Sequence, residues 1–137
     1  MAYGVTSNSY QGEYDRVLCV CSAGILRSAT AAHILASSPY NLNTRNVGTA
    51  PYALIPVTED LIQWADYIVC MEAEHEVYVR NKMIEWVYDK PIMTLGIEDI
   101  YEYRNPELIK LIEEKFVHKY NESKEKAARI RNKQDDW

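Results

Sequence analysis

The chain has 137 residues, 47% of them hydrophobic and 26% charged, with a formal net charge of −5; this is the range of one globular domain with its own core and no room for a second. An acidic balance removes the easy electrostatic route to nucleic acid or to an anionic membrane, both of which need a concentrated basic face, and leaves only a local anion site. No run approaches the roughly 18 to 20 apolar residues of a membrane span, and the N-terminus MAYGVTSNSYQGEYD is not a charged leader followed by an apolar block, so a cytoplasmic monomer is expected.

Residues 1–15 are polar, hold three of the eleven tyrosines and follow neither the helical nor the strand period, which reads as a mobile or loosely docked arm. Arg16-Val-Leu-Cys-Val-Cys21 is then a short β-branched-rich run ending in Ser22-Ala-Gly24, the pattern of a buried strand entering a tight loop. From Arg27 to Ser38 the chain is Ala-rich, with Ala31, Ile34 and Leu35 at helical spacing and Pro39 as a stop.

A second strand is expected over Thr44–Thr49 and a helix over Val57–Ala65, with Thr58 as its N-cap and Glu59 and Asp60 in its first turn. Tyr67-Ile-Val-Cys-Met71 reads as a fully buried strand, Glu72–Trp86 as a helix, and Lys90–Leu95 as a fourth strand. The last helix starts near Pro106, where Leu108, Ile112, Phe116 and Tyr120 recur every four residues, and it turns polar from Asn121 onward. Lys124, Lys126, Arg129, Arg131 and Lys133, interleaved there with acids, read as a solvated face.

Strands alternating with helices imply a three-layer α/β/α sandwich around a four-stranded, mostly parallel sheet. Its crossovers are right-handed and its ligand site lies at the carboxyl ends of the strands. Cys21 falls at that position.

Cys21-Ser-Ala-Gly-Ile-Leu-Arg27-Ser28 places a cysteine and an arginine six positions apart across a strand-to-helix turn, so both can face one small anion. The backbone N–H groups of Ser22, Ala23, Gly24, Ile25 and Leu26 can turn inward, and with the positive end of the helix they form a cradle for a dianionic phosphate. Arg27 offers a planar fork to two oxygens, a geometry lysine lacks. The same positive surroundings should lower the Cys21 thiol below its free value of about 8.5 and make it a nucleophile, with Ser28 in reach of the sulfur. An isolated Cys-x5-Arg match is more often a strand-end cysteine and a surface arginine. Here the match follows a buried strand, contains a glycine and opens a helix, as an anion loop must.

With those residues in view, the sequence resembles the low-molecular-weight protein tyrosine phosphatases, whose signature is a strand, Cys-x5-Arg-Ser and a helix, matched by Val17–Ser28. Val47-Gly-Thr49 is similar to the family's Ala-Gly-Thr region, Trp64–Met71 to its Ala-Asp-hydrophobic-Met strand, and Ile97-Glu-Asp-Ile-Tyr101 to its Asp-Pro-Tyr loop. The closest likeness is to short predicted tyrosine phosphatases of bacteria and phages, through Trp-Ala-Asp, Met-Glu followed by His75, and Asp99–Leu108.

The resemblance implies a phosphatase domain over residues 16–120, flanked by the arm 1–15 and a polar helical extension over 121–137. It implies phosphate monoester hydrolysis, with protein phosphotyrosine or a small phosphate ester as substrate, through a phosphocysteine and with no metal or other cofactor. Cys21 is then the nucleophile, Arg27 the clamp and Asp99 the general acid, with adjacent Glu98 as the alternative acid and Tyr101, less so Tyr103, as a pocket wall. The sequence departs from the family pattern at Gly24, where the loop asparagine is replaced, at Ile100, where the acid loop has proline, and at Ala29 and Ala32.

Two other readings compete. A thiol-dependent arsenate reductase would use the same cradle but needs Cys19 or Cys70 as a resolving thiol, and both fall in expected buried strands. A binding module would recognise phosphate through Arg27 and the cradle without needing Cys21. His33, His75 and His118 fall on separate expected helices without metal-ligand spacing, and three cysteines in a chain of this size read as free thiols rather than a disulfide framework.

Overall fold

A computed structural model describes residues 5–6, 14–87 and 90–135. The elements in chain order are β1 (Val5–Thr6), β2 (Arg16–Cys21), α1 (Arg27–Ala36), β3 (Asn43–Gly48), α2 (Glu59–Trp64), β4 (Tyr67–Cys70), α3 (Ala73–Lys82), α4 (Ile84–Val87), β5 (Ile92–Thr94) and α5 (Pro106–Asp135). The sheet order is β1-β3-β2-β4-β5. β3, β2, β4 and β5 run parallel, in a register that sets Cys21 beside Gly48 and Val20 beside Cys70. β2 is the central strand and is buried from Val17 to Cys21, which is why its apolar residues are continuous rather than alternating.

The four parallel strands are the expected ones, and a fifth joins them: β1 adds to the outer edge of β3 in antiparallel register, Val5 opposite Arg45. Most of the remainder of the expected N-terminal arm lies outside the described residues. Two hydrophobic layers cover the sheet. On one face α1 and α5 pack Ala31, Leu35, Leu108, Ile112 and Phe116 against Val17, Cys19, Val69 and Met93. On the other, Ile62 of α2, Val79 of α3 and Val87 of α4 cover Leu18, Val20, Ile68 and Cys70. The four-residue repeat of α5 is buried through Leu108, Ile112 and Phe116, each worth roughly 1.5–3 kcal/mol on the usual apolar-area scale. Its next member, Tyr120, stacks on Phe116 with ring centroids 5.0 Å apart.

The single helix expected over Glu72–Trp86 is two. α3 ends at Met83, whose φ of −124° and ψ of 35° leave the helical region, and α4 restarts at Ile84. Val79 of the first segment and Val87 of the second both join one buried cluster. No helix among the described residues is long and apolar enough to cross a membrane.

Candidate active site

β2 lies between β3, reached through α1 on one face, and β4, reached through α2 on the other. The connections therefore diverge above the carboxyl ends of β2 and β4, and a crevice opens there between Cys21 and Met71-Glu72.

Residues 22–26 fold back over Cys21. The Gly24 N–H points at Cys21 Sγ from 3.1 Å, and Ser28 Oγ lies 3.1 Å from the same sulfur. Gly24 holds φ at +80°, and a Cβ on it would stand 2.8 Å from Gly48 N and from the Val47 carbonyl carbon. A side chain is excluded twice there, by backbone conformation and by the neighbouring strand. At Gly48 contact alone excludes a side chain, since a Cβ there would meet Ser22 O at 2.4 Å. The loop leans on β3 so closely that Thr49 N–H reaches Cys21 O and Ala50 N–H reaches Ser22 O, each at 3.0 Å. Asn46 Nδ2 donates to Gly24 O at 2.6 Å, turning that carbonyl away from the cradle.

α1 opens without ordinary finishing. Its N-cap is Leu26, with no side-chain cap bond among the described residues and no acidic residue in the first turn, so the positive end of the helix faces the loop uncompensated. Arg27, the first helical residue, is 1% exposed. Its Nη1 donates to Glu72 Oε1 and, at 2.8 Å, to the Ile97 carbonyl. Its Nε is buried with no hydrogen-bond partner among the described residues, and Asp99 Oδ1 lies 3.6 Å from it, within ion-pair range. A buried guanidinium N–H without a partner is costly and marks where an external acceptor belongs.

His75 closes the other side. It is fully buried, its Nδ1 accepts from Glu72 N–H at 3.0 Å and its Nε2 faces Ser22 Oγ at 3.0 Å. An accepting Nδ1 assigns the ring proton to Nε2, so neutral His75 donates to Ser22. Burial, and then the Arg27 charge, push its pKa below the ordinary 6.5, against the opposing pull of Glu74, Glu72 and Asp99. Glu72, Glu74 and His75 bring ligand atoms within 4.8 Å of one another, but both His75 nitrogens already face hydrogen-bond partners and Glu72 pairs with Arg27.

The structure thus brings Cys21, Ser22, Gly24, Arg27, Ser28 and Asp99 to one crevice. Asp99 is exposed and its Oδ1 lies 3.6 Å from Arg27 Nε; Glu98 is also exposed. Tyr101 is half-buried and packs on the core beneath its loop, while Ile25, Ile100 and Tyr103 are exposed. Cys19 and Cys70 are fully buried, and burial is the main cause that raises both thiols, Cys70 to about 12. Cys70 also lies on the opposite face of the sheet from Cys21.

Sequence reasoning missed Glu72 and Asn46 as neighbours of the cradle. The available signal for Glu72 was an acidic residue directly after the buried strand next to β2, where the crevice opens. Asn46 gave one as a polar residue inside a buried strand.

No protein-family model matches the sequence, and no curated protein matches it either. Solved structures do. The chain is similar to Wzb of Vibrio vulnificus in complex with benzylphosphonate, at 20% identity and TM-score 0.59 over 74% of this chain and 93% of that one. It is similar to the tyrosine phosphatase Wzb of Escherichia coli K30 in complex with phosphate, at 18% identity and TM-score 0.56 over 74% and 92%. It is also similar to the YwlE arginine phosphatase of Geobacillus stearothermophilus, at 18% identity and TM-score 0.57 over 82% and 96%. Expected from its strand-loop-helix signature and now matched over nine-tenths of each of these structures, the fold of this chain is that of the bacterial Wzb and YwlE phosphatases.

Proposed function

We propose that the protein is a cysteine phosphatase that hydrolyses phosphate monoesters, protein phosphotyrosine foremost, through a phosphocysteine intermediate and without a metal. The observation that carries this reading is the buried Arg27 Nε, which has no hydrogen-bond partner among the described residues, at the start of a helix without a side-chain cap whose preceding loop turns the Gly24 N–H onto the Cys21 sulfur. That the similar Escherichia coli tyrosine phosphatase was solved in complex with phosphate fits a phosphate-binding role for this fold.

In the first step Cys21 Sγ, as thiolate, attacks phosphorus and the P–O ester bond breaks. Its electron pair leaves with the alcohol oxygen, which takes a proton from Asp99. Arg27 and the loop N–H groups stabilise the charge on the equatorial oxygens, which leaves little for a metal to add. In the second step Asp99, now a carboxylate, accepts a proton from water as the water oxygen attacks phosphorus. The S–P bond breaks, inorganic phosphate departs and the thiolate returns. Ser28 Oγ and the Gly24 N–H stand 3.1 Å from the sulfur, where they can donate to the thiolate that attacks and returns. Glu72 and the Ile97 carbonyl hold the Nη1 end of Arg27, so that its other edge meets the phosphate. A nucleophilic thiolate suits a reducing compartment, where we place the protein.

Arsenate reduction is disfavoured because Cys19 and Cys70 are buried and held as thiols, and Cys70 is across the sheet. Hydrolysis of para-nitrophenyl phosphate with a chelator present tests the proposal. Turnover is expected from the native protein, none from Cys21→Ser, and a fall of at least about a hundredfold in Asp99→Asn. Phosphate or vanadate binding without native turnover would make the cradle a binding module instead.

A further inference from the structure

The segment 98–105 that carries Asp99 is anchored at both ends to the first turn of α1. At its start, Ile97 accepts from Arg27 Nη1 at 2.8 Å, while its own N–H is held by the Met71 carbonyl at 2.7 Å. At its end, the Arg104 N–H donates to Thr30 Oγ1 at 2.9 Å. Thr30 and Arg27 are three residues apart and lie on one face of the helix.

The Thr30 hydroxyl has a defined polarity. It is 0% exposed and its proton goes to the Leu26 carbonyl at 2.8 Å, the bond that threonine commonly makes one turn back in a helix. A lone pair is thereby turned toward Arg104. Leu26 is the last residue of the anion loop, so one hydroxyl bridges the end of the cradle to the end of the segment bearing the acid. Arg104 needs that acceptor: its φ is +60°, a left-handed conformation that a residue with a Cβ adopts only when its surroundings hold it there. Between the two anchors the loop makes few bonds. Asn105 N–H closes a turn on Glu102 O, and Asp99 itself is exposed, 3.6 Å from Arg27 Nε.

We propose that Thr30 is a positioning residue for general acid catalysis, its hydroxyl clasping the acid loop to the helix turn that carries the phosphate clamp and so setting the distance from Asp99 to the leaving oxygen. The inference rests on the reading of Asp99 as the acid. Without the hydroxyl the loop keeps its Ile97 anchor but loses the far one, and Asp99 spends less time within reach of the ester oxygen. Anion binding, which depends on Arg27 and the cradle, is left intact.

Such a role has a signature that loss of structure lacks. A good leaving group departs without full protonation and a poor one does not, so a misplaced acid slows the two unequally. The experiment compares kcat/KM on para-nitrophenyl phosphate and on phenyl phosphate for the native protein, Thr30→Val, Thr30→Ala and Thr30→Ser, with the inhibition constant of vanadate measured for each. Thr30→Ala introduces a stronger helix former into the same turn and keeps the test available should valine prevent folding.

Expected for Val and Ala is a loss of roughly tenfold on phenyl phosphate, a clearly smaller loss on the nitrophenyl ester, and vanadate inhibition within about twofold of native. Serine is expected to restore the native ratio. Equal losses on both esters, or none, would overturn the clasp while leaving the phosphatase reading in place. Absence of turnover of either ester by the native protein would overturn that reading and the clasp with it.

Discussion

Two helices, α1 and α2, start above the carboxyl edge of the same sheet, and their first turns are finished in opposite ways. α2 has Thr58 as N-cap, its side chain accepting from Leu61 N–H at 3.3 Å, with Glu59 and Asp60 in the first turn to complement the dipole. α1 has Leu26 in that place, no acid in its first turn, and the buried polar residues Arg27, Ser28 and Thr30. The first arrangement satisfies the helix end from within the chain. The second has no side-chain cap and, among the described residues, leaves the buried Arg27 Nε without a hydrogen bond, a cost tolerated where a ligand supplies the missing acceptor. Comparing two neighbouring helix starts separates a structural terminus from a binding one more cleanly than the Cys-x5-Arg spacing does.

The comparison breaks most severely at Gly24. Alanine there would have to hold φ near +80° with its Cβ 2.8 Å from the backbone of β3. Gly24→Ala is expected to cost about 2 kcal/mol or more in unfolding free energy. It should also reduce turnover by about a hundredfold or more, because the loop must shift relative to Cys21. Gly24→Asn is the control: asparagine accepts the left-handed backbone but brings the same Cβ, so it should cost nearly as much. Denaturant melts and ester hydrolysis read both, and a harmless asparagine would show that conformation rather than the contact with β3 excludes a side chain.

Thr58 is the converse case. Thr58→Ala removes the cap of α2 and should lower stability by about 1 kcal/mol, measured by denaturant unfolding, with kcat/KM on para-nitrophenyl phosphate unchanged. A loss of activity in that variant would mean that the two helix starts are coupled and that the contrast between them is less than drawn.

The elements were legible in the sequence wherever a local pattern determines them. The apolar run 17–21 ends in a glycine-bearing loop, the four-residue repeat of α5 is buried as its spacing requires, and Thr58 caps the helix it was expected to cap. The break at Met83 carried no proline or glycine to announce it. β1 is two residues long and shows no period. The cradle's own loop could be read because its residues are contiguous. Its supports could not: Asn46, Glu72, His75 and Ile97 meet it only through the order of strands in the sheet, at separations of 22, 45, 53 and 70 residues. Asn46 reaches the loop from β3, its side-chain amide donating to the Gly24 carbonyl at 2.6 Å.

The smallest effect expected is the most specific to the binding terminus, and it comes from His75. In the folded protein its Nδ1 accepts from Glu72 N–H and its Nε2 donates to Ser22. A second ring proton would set two donors against each other in a buried site beside Arg27. Burial and Arg27 accordingly hold its pKa below the ordinary 6.5, with Glu72, Glu74 and Asp99 pulling the other way. The unfolded chain protonates this imidazole near 6.5, while the folded one resists to lower pH. Between those two values the unfolded state binds more protons, so stability rises with pH across the window. The contribution is fully present above about 6.5 and is lost as pH falls through the folded value. Thermal unfolding of native protein and His75→Asn between pH 5 and 8 should show the native Tm falling more steeply below about pH 6.5. The shallower dependence left in the variant includes His33, whose pKa is also lowered by partial burial and by Arg104. Parallel curves would assign the native loss to groups other than His75 and would remove the imidazole from the set of residues that hold the cradle closed.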